Sequence, residues 1–332
     1  FNEFNPGIGI TRKLGDTLIV GNTTVYATYK ESSRTPSIAE LGCADPNQPC
    51  RLPNSFQADP PLDQVKNRSF EFGARGAKND LSLFGFNHSI NWNATAFAGR
   101  NFNDIIFIGG NRVGTGYFRN VGNTQRMGTE LALNGTLGSK WTWYGNYSYV
   151  RASFETHQLI ASAGHGSNPH ACEGPEEYGG GGNAAATADQ NSCEAREAYQ
   201  IEIGPGDTIP GISPHIGRVG IGYAPADGFN LFVDTEYNSR QFYRGDENNN
   251  EGKQVAGYFL LNASAEYSVP IRDPNGNGFS TTFFFEGRNL LDTNFETGGI
   301  LAENEVDGTG GSGTFVTPGQ PLTVFGGMRL TW

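Results

Sequence analysis

The chain has 332 residues, room for one large domain or two ordinary ones, yet only 36% are apolar and 47 are glycine. So few apolar side chains would struggle to fill a soluble core of that size, and a net charge of −11 argues against a nucleic-acid backbone as partner, which needs clustered Lys and Arg. No apolar run reaches the length of a helical membrane span. Phe1-Asn2-Glu3-Phe4 is not a basic, apolar leader; it reads as the middle of something, and the chain is expected to be a mature or truncated piece.

In chain order, about eleven strands are predicted, starting near residues 4, 18, 68, 90, 116, 141, 216, 229, 255, 281 and 321. Side chains alternate between two faces with period 2. Met127, Leu131, Leu133 and Leu137 share one parity against Arg126, Glu130, Asn134 and Thr136. After the turn at Gly138-Ser-Lys140, Trp141, Trp143, Tyr147 and Tyr149 continue the apolar set. Val219, Ile221 and Tyr223, then Phe229, Leu231, Val233 and Tyr237, oppose Asn230, Asp234, Glu236 and Asn238. Phe259 to Val269 repeats the pattern, and Phe283 and Phe285 follow the turn at 272–277.

The long connections follow the even strands, near 32–66, 101–115, 155–212, 240–254 and 298–320. Lys78 to Asn91 reads either as a long turn or as an irregular extension of the fourth strand. The chain ends on Leu322, Val324, Met328, Leu330 and Trp332 in one parity, a closing strand with an aromatic at its tip. Such a strand fits an outer-membrane barrel, with apolar side chains on lipid and carboxylates toward a wet lumen. The predicted class is therefore all-β: an antiparallel up-and-down transmembrane β-barrel, multi-pass in the outer membrane. Eleven is an odd number for a single-chain barrel. An open sheet in lipid would leave about five backbone pairs unmade per edge, at several kcal/mol each, a penalty of tens of kcal/mol. The favoured expectation is part of a larger barrel.

Four cysteines form two local pairs, Cys43 with Cys50 and Cys172 with Cys193, read as disulfides in an oxidising compartment. The zinc alternative, with His165 and His170 near Cys172, lacks a Cys-x-x-Cys spacing. Acidic residues in the loops, Glu173, Glu176, Glu177, Asp246 and Glu247, read as solvated surface, with divalent-cation binding as the alternative.

Several fragments in order resemble the C-terminal half of the barrel of TonB-dependent outer-membrane receptors. They are Phe4 to Ile10 and Tyr26 to Tyr29 with Ser33-Arg-Thr-Pro36 and Ala39-Glu-Leu41, then Arg68-Ser-Phe-Glu71-Phe-Gly73. Arg119-Asn-Val-Gly-Asn123 with Gly128-Thr-Glu130-Leu131 follows, and last Gly287-Arg-Asn289-Leu290-Leu-Asp292 with Phe295. Leu291 and Phe295 replace the usual Phe and Tyr of that last element. Such elements are expected to serve folding and assembly rather than ligand chemistry. The resemblance implies a 22-stranded barrel with an N-terminal plug, of which about eleven strands fall in residues 1–332 and the plug does not. It also implies TonB as energy-coupling partner, the barrel assembly machinery and outer-membrane lipid as further partners, and import of a scarce small-molecule nutrient such as a ferric siderophore or cobalamin. No cofactor or metal is implied. Leu330 and Trp332 are read as the assembly signal.

Ligand contacts are expected on the external loops, because aromatics and Arg dominate recognition surfaces. The candidates are Tyr178, Arg196, Tyr199, Arg240, Phe242, Tyr243 and Arg244. No nucleophile elbow, zincin helix, P-loop or dinucleotide fingerprint occurs, so an enzyme is not expected. The alternatives carried forward are a smaller barrel with an external hydrolase site and a β-rich surface adhesin.

Overall fold

Eleven antiparallel strands hydrogen-bond in one sheet, each next to its neighbour in sequence, in a computed structural model of the chain. The structure describes all residues except 1, 18–20, 46–49, 52–61, 84, 110–114, 163, 164, 166–199, 273–277 and 304–311. The strands are β1 (Gly7–Thr17), β2 (Gly21–Arg34), β3 (Val65–Leu83), β4 (Phe86–Phe102), β5 (Thr124–Leu137) and β6 (Trp141–Phe154), followed by β7 (His215–Ala226), β8 (Phe229–Asn238), β9 (Tyr258–Arg272), β10 (Gly278–Arg288) and β11 (Thr323–Thr331). β1 and β11 are the two edges, and no ladder joins them among the described residues.

Register carries the alternation across the sheet, because directly paired residues share a face. Trp92 stands beside Leu133, Leu133 beside Gly145, Gly145 beside Val219, and Val219 beside Thr235. Further along, Tyr237 pairs with Phe259, Tyr267 with Phe283, and Phe283 with Met328. This is one continuous apolar face, and Phe70, Phe72, Val219, Phe285 and Met328 on it stand more than half exposed. The opposite face is polar: Thr95 pairs with Glu130, Glu130 with Ser148, Arg218 with Glu236, and Asp234 with Asn262. Glu71, Glu266 and Glu286 also lie on it, by their pairing with Phe97, Phe284 and Phe325. A two-faced sheet with hydrocarbon on one side and water on the other needs no core of its own.

The buried apolar clusters lie instead at the end of the sheet that bears the long connections. The largest joins Ile108, Tyr117 and Val121 to Ala152 and Phe154 at the end of β6, and to Ile160, Ile201, Ile203 and Ile209. These residues come from the connections 103–123 and 155–214, each of which builds its own hairpin: Ile105–Gly109 with Thr115–Asn120, and Gln158–Ala161 with Gln200–Ile203. A second cluster sets Ala44, Leu62 and Val65 around Ile105, and a third joins Tyr243, Val255 and Leu301. Connections 239–257 and 289–322 add the hairpins Gln241–Phe242 with Gln254–Val255 and Glu296–Glu303 with Ser312–Pro318.

One boundary differs from the sequence reading, and one alternative it left open is resolved toward the extended strand. The strand expected near residue 116 is the second arm of a loop hairpin, and β5 starts at Thr124. Between them Gly122 adopts φ +72, and its carbonyl accepts the Asp104 N–H, turning the chain before the sheet resumes. Lys78 to Asn91 is not a long turn. β3 and β4 both run on as far as the pair Leu83 and Phe86, with a bulge between Lys78 and Leu81.

Candidate functional site

Two surfaces are candidates for recognition: the polar sheet face and the cap of long connections above it. Each connection is seated by a local polar fastening that the sequence encodes. In the first, Ser37 caps the short helix Ile38–Leu41, accepting the Glu40 N–H while the Glu40 carboxylate accepts from the Ser37 N–H. Arg34 at the end of β2 closes on Glu40 at 2.6 Å. Burial works to raise the Glu40 pKa, but the hydrogen bonds from Arg34 and Ser37 outweigh it and hold the carboxyl below its ordinary range.

In the second connection, buried Asp104 accepts from the Thr124 hydroxyl at 2.6 Å, and from Arg126 and Asn101 at 3.1 Å. In the last, Asn289 at φ +52 donates to the carbonyls of Thr293 and Gln320 and accepts the Thr293 N–H. Asp292 receives the Leu322 N–H. Phe295 packs at a tilt against Tyr258, centroids 4.4 Å apart, and Gly319 leaves room for its ring, since a Cβ there would lie 2.2 Å from it.

The most enclosed junction ties the third connection to the fourth. His165 is buried with its Nε2 at 2.8 Å from Asn248 Oδ1 and 3.2 Å from Asp246 Oδ1, and its Nδ1 at 3.4 Å from Glu251. Asp246 Oδ1 also accepts the N–H groups of Asn250 and Glu251. Asp246 Oδ2 and Glu247 Oε2 are buried without a hydrogen-bond partner. Burial raises the Asp246 pKa, against the N–H of Glu251, His165 and the N–H of Asn250. Burial also pushes Glu247 up to about 7, opposed by the Gly245 N–H and reinforced by the neighbouring Asp246 charge. Asp246 and Glu247 are thus not the solvated surface expected of them, because backbone N–H groups and an imidazole draw the loop inward. Among the described residues no group of three or more His, Cys, Asp or Glu is placed to hold a metal ion.

The sequence candidates separate on this scaffold. Arg240 and Arg244 are exposed. Arg244 crosses to the last connection, its N–H bonding the Gly299 carbonyl and its own carbonyl accepting from Leu301. Phe242 is half-buried in the hairpin, pairing with Gln254. Tyr243 is a correction: it is buried against Val255 and Leu301, so it packs the cap and offers no capture surface. Tyr178, Arg196 and Tyr199 lie outside the described residues. Cys43 is disulfide-bonded and no free cysteine occurs among the described residues, but Cys172, Cys193 and the Cys50 side chain lie outside them, so neither expected pairing is described. Leu330 pairs with Thr281 on the apolar face, and Trp332 follows at the tip, 95% exposed. The sequence reading missed Asp104, and it named Asn289 and His165 without their roles in the cap; Asp104 and Asn289 follow the ends of β4 and β10, but nothing local marks them as buried.

Residues 1–290 match the family model described as "TonB dependent receptor-like, beta-barrel". The chain belongs to that family. The barrels of TonB-dependent receptors are outer-membrane proteins, and the two-faced strands suit that setting. Among solved structures, the copper transporter OprC aligns with a TM-score of 0.58 and 15% identity, over 98% of this chain and 38% of its own. The siderophore receptor PiuA from Acinetobacter baumannii aligns at 0.57 and 17%, over 98% and 35%. The ferric yersiniabactin uptake receptor FyuA from Yersinia pestis aligns at 0.56 and 13%, over 98% and 36%. The present chain therefore spans little more than a third of each neighbour's length. A search of the curated proteins finds no match.

Proposed function

We propose that residues 1–332 form the C-terminal part of the barrel of a TonB-dependent receptor that imports a scarce nutrient, a ferric siderophore or cobalamin before other metal chelates or oligosaccharides. The observation that carries this reading is the eleven-strand sheet with one apolar face, one polar face and two open edges, in a chain of this family. Each edge needs a partner strand in lipid, where an unmade backbone pair costs several kcal/mol. In the intact receptor the remaining barrel strands supply both edges and a plug fills the polar lumen. TonB supplies the energy, the barrel assembly machinery inserts the protein, and Leu330 and Trp332 are its signal. The expected disulfides Cys43–Cys50 and Cys172–Cys193 staple the two longest external connections.

Capture falls to those connections, with exposed Arg240 and Arg244 as the first residues to test, and Tyr178, Arg196 and Tyr199 as further candidates. The names of OprC, PiuA and FyuA support metal or metal-chelate cargo as the leading class. The hydrolase alternative draws nothing from the junction at His165. Ser162 lies nearby, but its hydroxyl donates to the Gly245 carbonyl, and both imidazole nitrogens are taken up by Asp246, Asn248 and Glu251. The test is uptake of radiolabelled ferric siderophores and cobalamin by cells whose only difference is deletion of the parent gene. Uptake of at least one cargo is expected to fall, and to return with the intact gene but not with one lacking the TonB box. Unchanged uptake of every cargo tried, together with ordered, detergent-free solubility of the protein, would sink the reading.

A further inference from the structure

The junction at His165 buries more carboxylate oxygens than it supplies donors for. The side chains of His165 and Asp246 are 0% exposed and that of Glu251 is 10% exposed. Nε2 of the imidazole meets two oxygens, Asp246 Oδ1 and Asn248 Oδ1. The Asn248 oxygen is fixed as the carbonyl by accepting the Asn250 N–H at 3.3 Å, so Nε2 donates. Nδ1 lies 3.4 Å from a Glu251 oxygen. A bare lone pair there would repel the carboxylate, so the closed junction favours a proton on this side as well. Asp246 Oδ1 takes His165 and the N–H groups of Asn250 and Glu251, while Oδ2 takes nothing. Glu247 Oε1 takes the Gly245 N–H, and its Oε2 takes nothing. An ionised oxygen buried without a donor carries a free-energy cost that a proton removes.

The charges facing the junction come from two connections. The third brings His165, beside the Ser162 hydroxyl that donates to the Gly245 carbonyl. The fourth brings Asp246, Glu247 and Glu251. On the side of the last connection Leu301 packs against Gly245, and on the remaining side Asn249 bonds the N–H and carbonyl of Thr208. Arg244 and Lys253 are exposed, and the Arg244 guanidinium lies toward Gly211. Among the described residues, His165 is thus the one cation that acts on Asp246 or Glu247.

We propose that the junction is a proton-operated latch: residues 162–165 and 245–251 close on one another with uptake of protons and part when those protons pass to bulk water in alkaline surroundings. The latch needs no cargo, so its failure would leave the import reading standing, and failed uptake would leave the latch standing. Burial holds Glu247 at about 7 against an ordinary 4.5, and raises Asp246 in the same sense. Values raised on closing place the stabilisation fully below pH 4.5 and remove it as pH climbs through 7. For Glu247 alone, the closed-to-open ratio falls roughly tenfold from about pH 6 to about pH 8.5.

The test is hydrogen exchange on the full-length receptor at those two pH values, each amide's rate divided by its intrinsic rate at that pH. The Gly245, Asn250 and Glu251 amides, bonded to the two carboxylates, are expected to lose roughly tenfold in protection at the higher pH. Glu247→Gln is expected to abolish most of that loss. The Phe118 amide, bonded to the Cys43 carbonyl, and the Leu301 amide, bonded to that of Arg244, are expected to hold their protection. At the lower pH the wild type is expected to show an infrared band of a protonated carboxyl that Glu247→Gln lacks, a signature that packing alone does not give. Equal protection at both pH values, an equal loss in Glu247→Gln or in the two control amides, or the absence of the band would each overturn the proposal. Where Glu247→Gln fails to fold, the wild-type exchange at the two pH values decides alone.

Discussion

Replacing Leu133 by Arg tests the assignment of faces most directly. Leu133 sits on the apolar face of β5, between Trp92 on β4 and Gly145 on β6. A Cβ on Gly145 would meet nothing within 4 Å, so a longer side chain at 133 has room and the cost is one of charge rather than of crowding. Leu133 lies four residues from Leu137 at the short-turn end of the strand. At about 3.3 Å per residue and a tilt near 45°, that is roughly 9 Å along the membrane normal, close to the middle of an apolar band about 25 Å tall. Leu133→Arg is therefore expected to cost about 2–4 kcal/mol. Asn134→Arg, one residue on, places the same charge beside Asn91 and Tyr144 on the polar face and is expected to cost less than about 1 kcal/mol. Urea unfolding of the full-length receptor in lipid vesicles, followed by heat-modifiable electrophoresis, measures both. Equal costs, or the larger cost at 134, would refute the assignment of faces.

Further outcomes are expected from the cap and the closing strand. Glu247→Gln removes a carboxyl whose folded pKa, about 7, is raised above its ordinary 4.5. The sign follows: this group favours the folded loop fully below about pH 4.5 and loses that contribution as pH rises through 7. The variant's cap should then resist proteolysis more than wild type at pH 8 and equally at pH 4, by up to about 3 kcal/mol before discounting for partial exposure. His165→Ala removes the imidazole that bonds Asp246 and Asn248 and is expected to open the junction at a cost of about 1–3 kcal/mol, read as faster hydrogen exchange at 245–251; unchanged exchange would count against it. Gly128→Val drives a Cβ to 2.0 Å from the Tyr149 carbonyl and should destabilise β5 by about 1–3 kcal/mol in the same urea assay. Trp332→Asn should lower the yield of heat-modifiable receptor in cells; a normal yield would remove the assembly role of the terminus.

Strands were legible because the alternation that marks them is local. Val219, Ile221 and Tyr223 announce their face within five residues, and register then fixes their neighbours. The cap was not legible, since its apolar residues are scattered singly: Ile108, Ile160 and Ile209 meet only through the fold. Asp246 was misread for a related reason. A carboxylate in an Asn-rich loop belongs on the surface by default, and only His165, 81 residues away, with two backbone N–H groups, draws it inside. The edge of β5 was misplaced because Thr115–Asn120 has strand chemistry of its own and pairs within the loop instead of the sheet. Arg240 and Arg244 were read as candidate ligand contacts and are exposed; Tyr243 was not separable from them by sequence, because an aromatic between two arginines suits a packing role as well as a binding one.

The clustered isoleucines above β6 give the cap of long connections a mechanical character. Connections that moved independently would have to be ordered separately, each at its own cost in entropy. A lid whose parts share buried interiors and cross-links at His165 and Arg244 instead tilts as a plate. Damage anywhere in the plate should then loosen it everywhere, and a pull on one corner would be felt at the opposite rim.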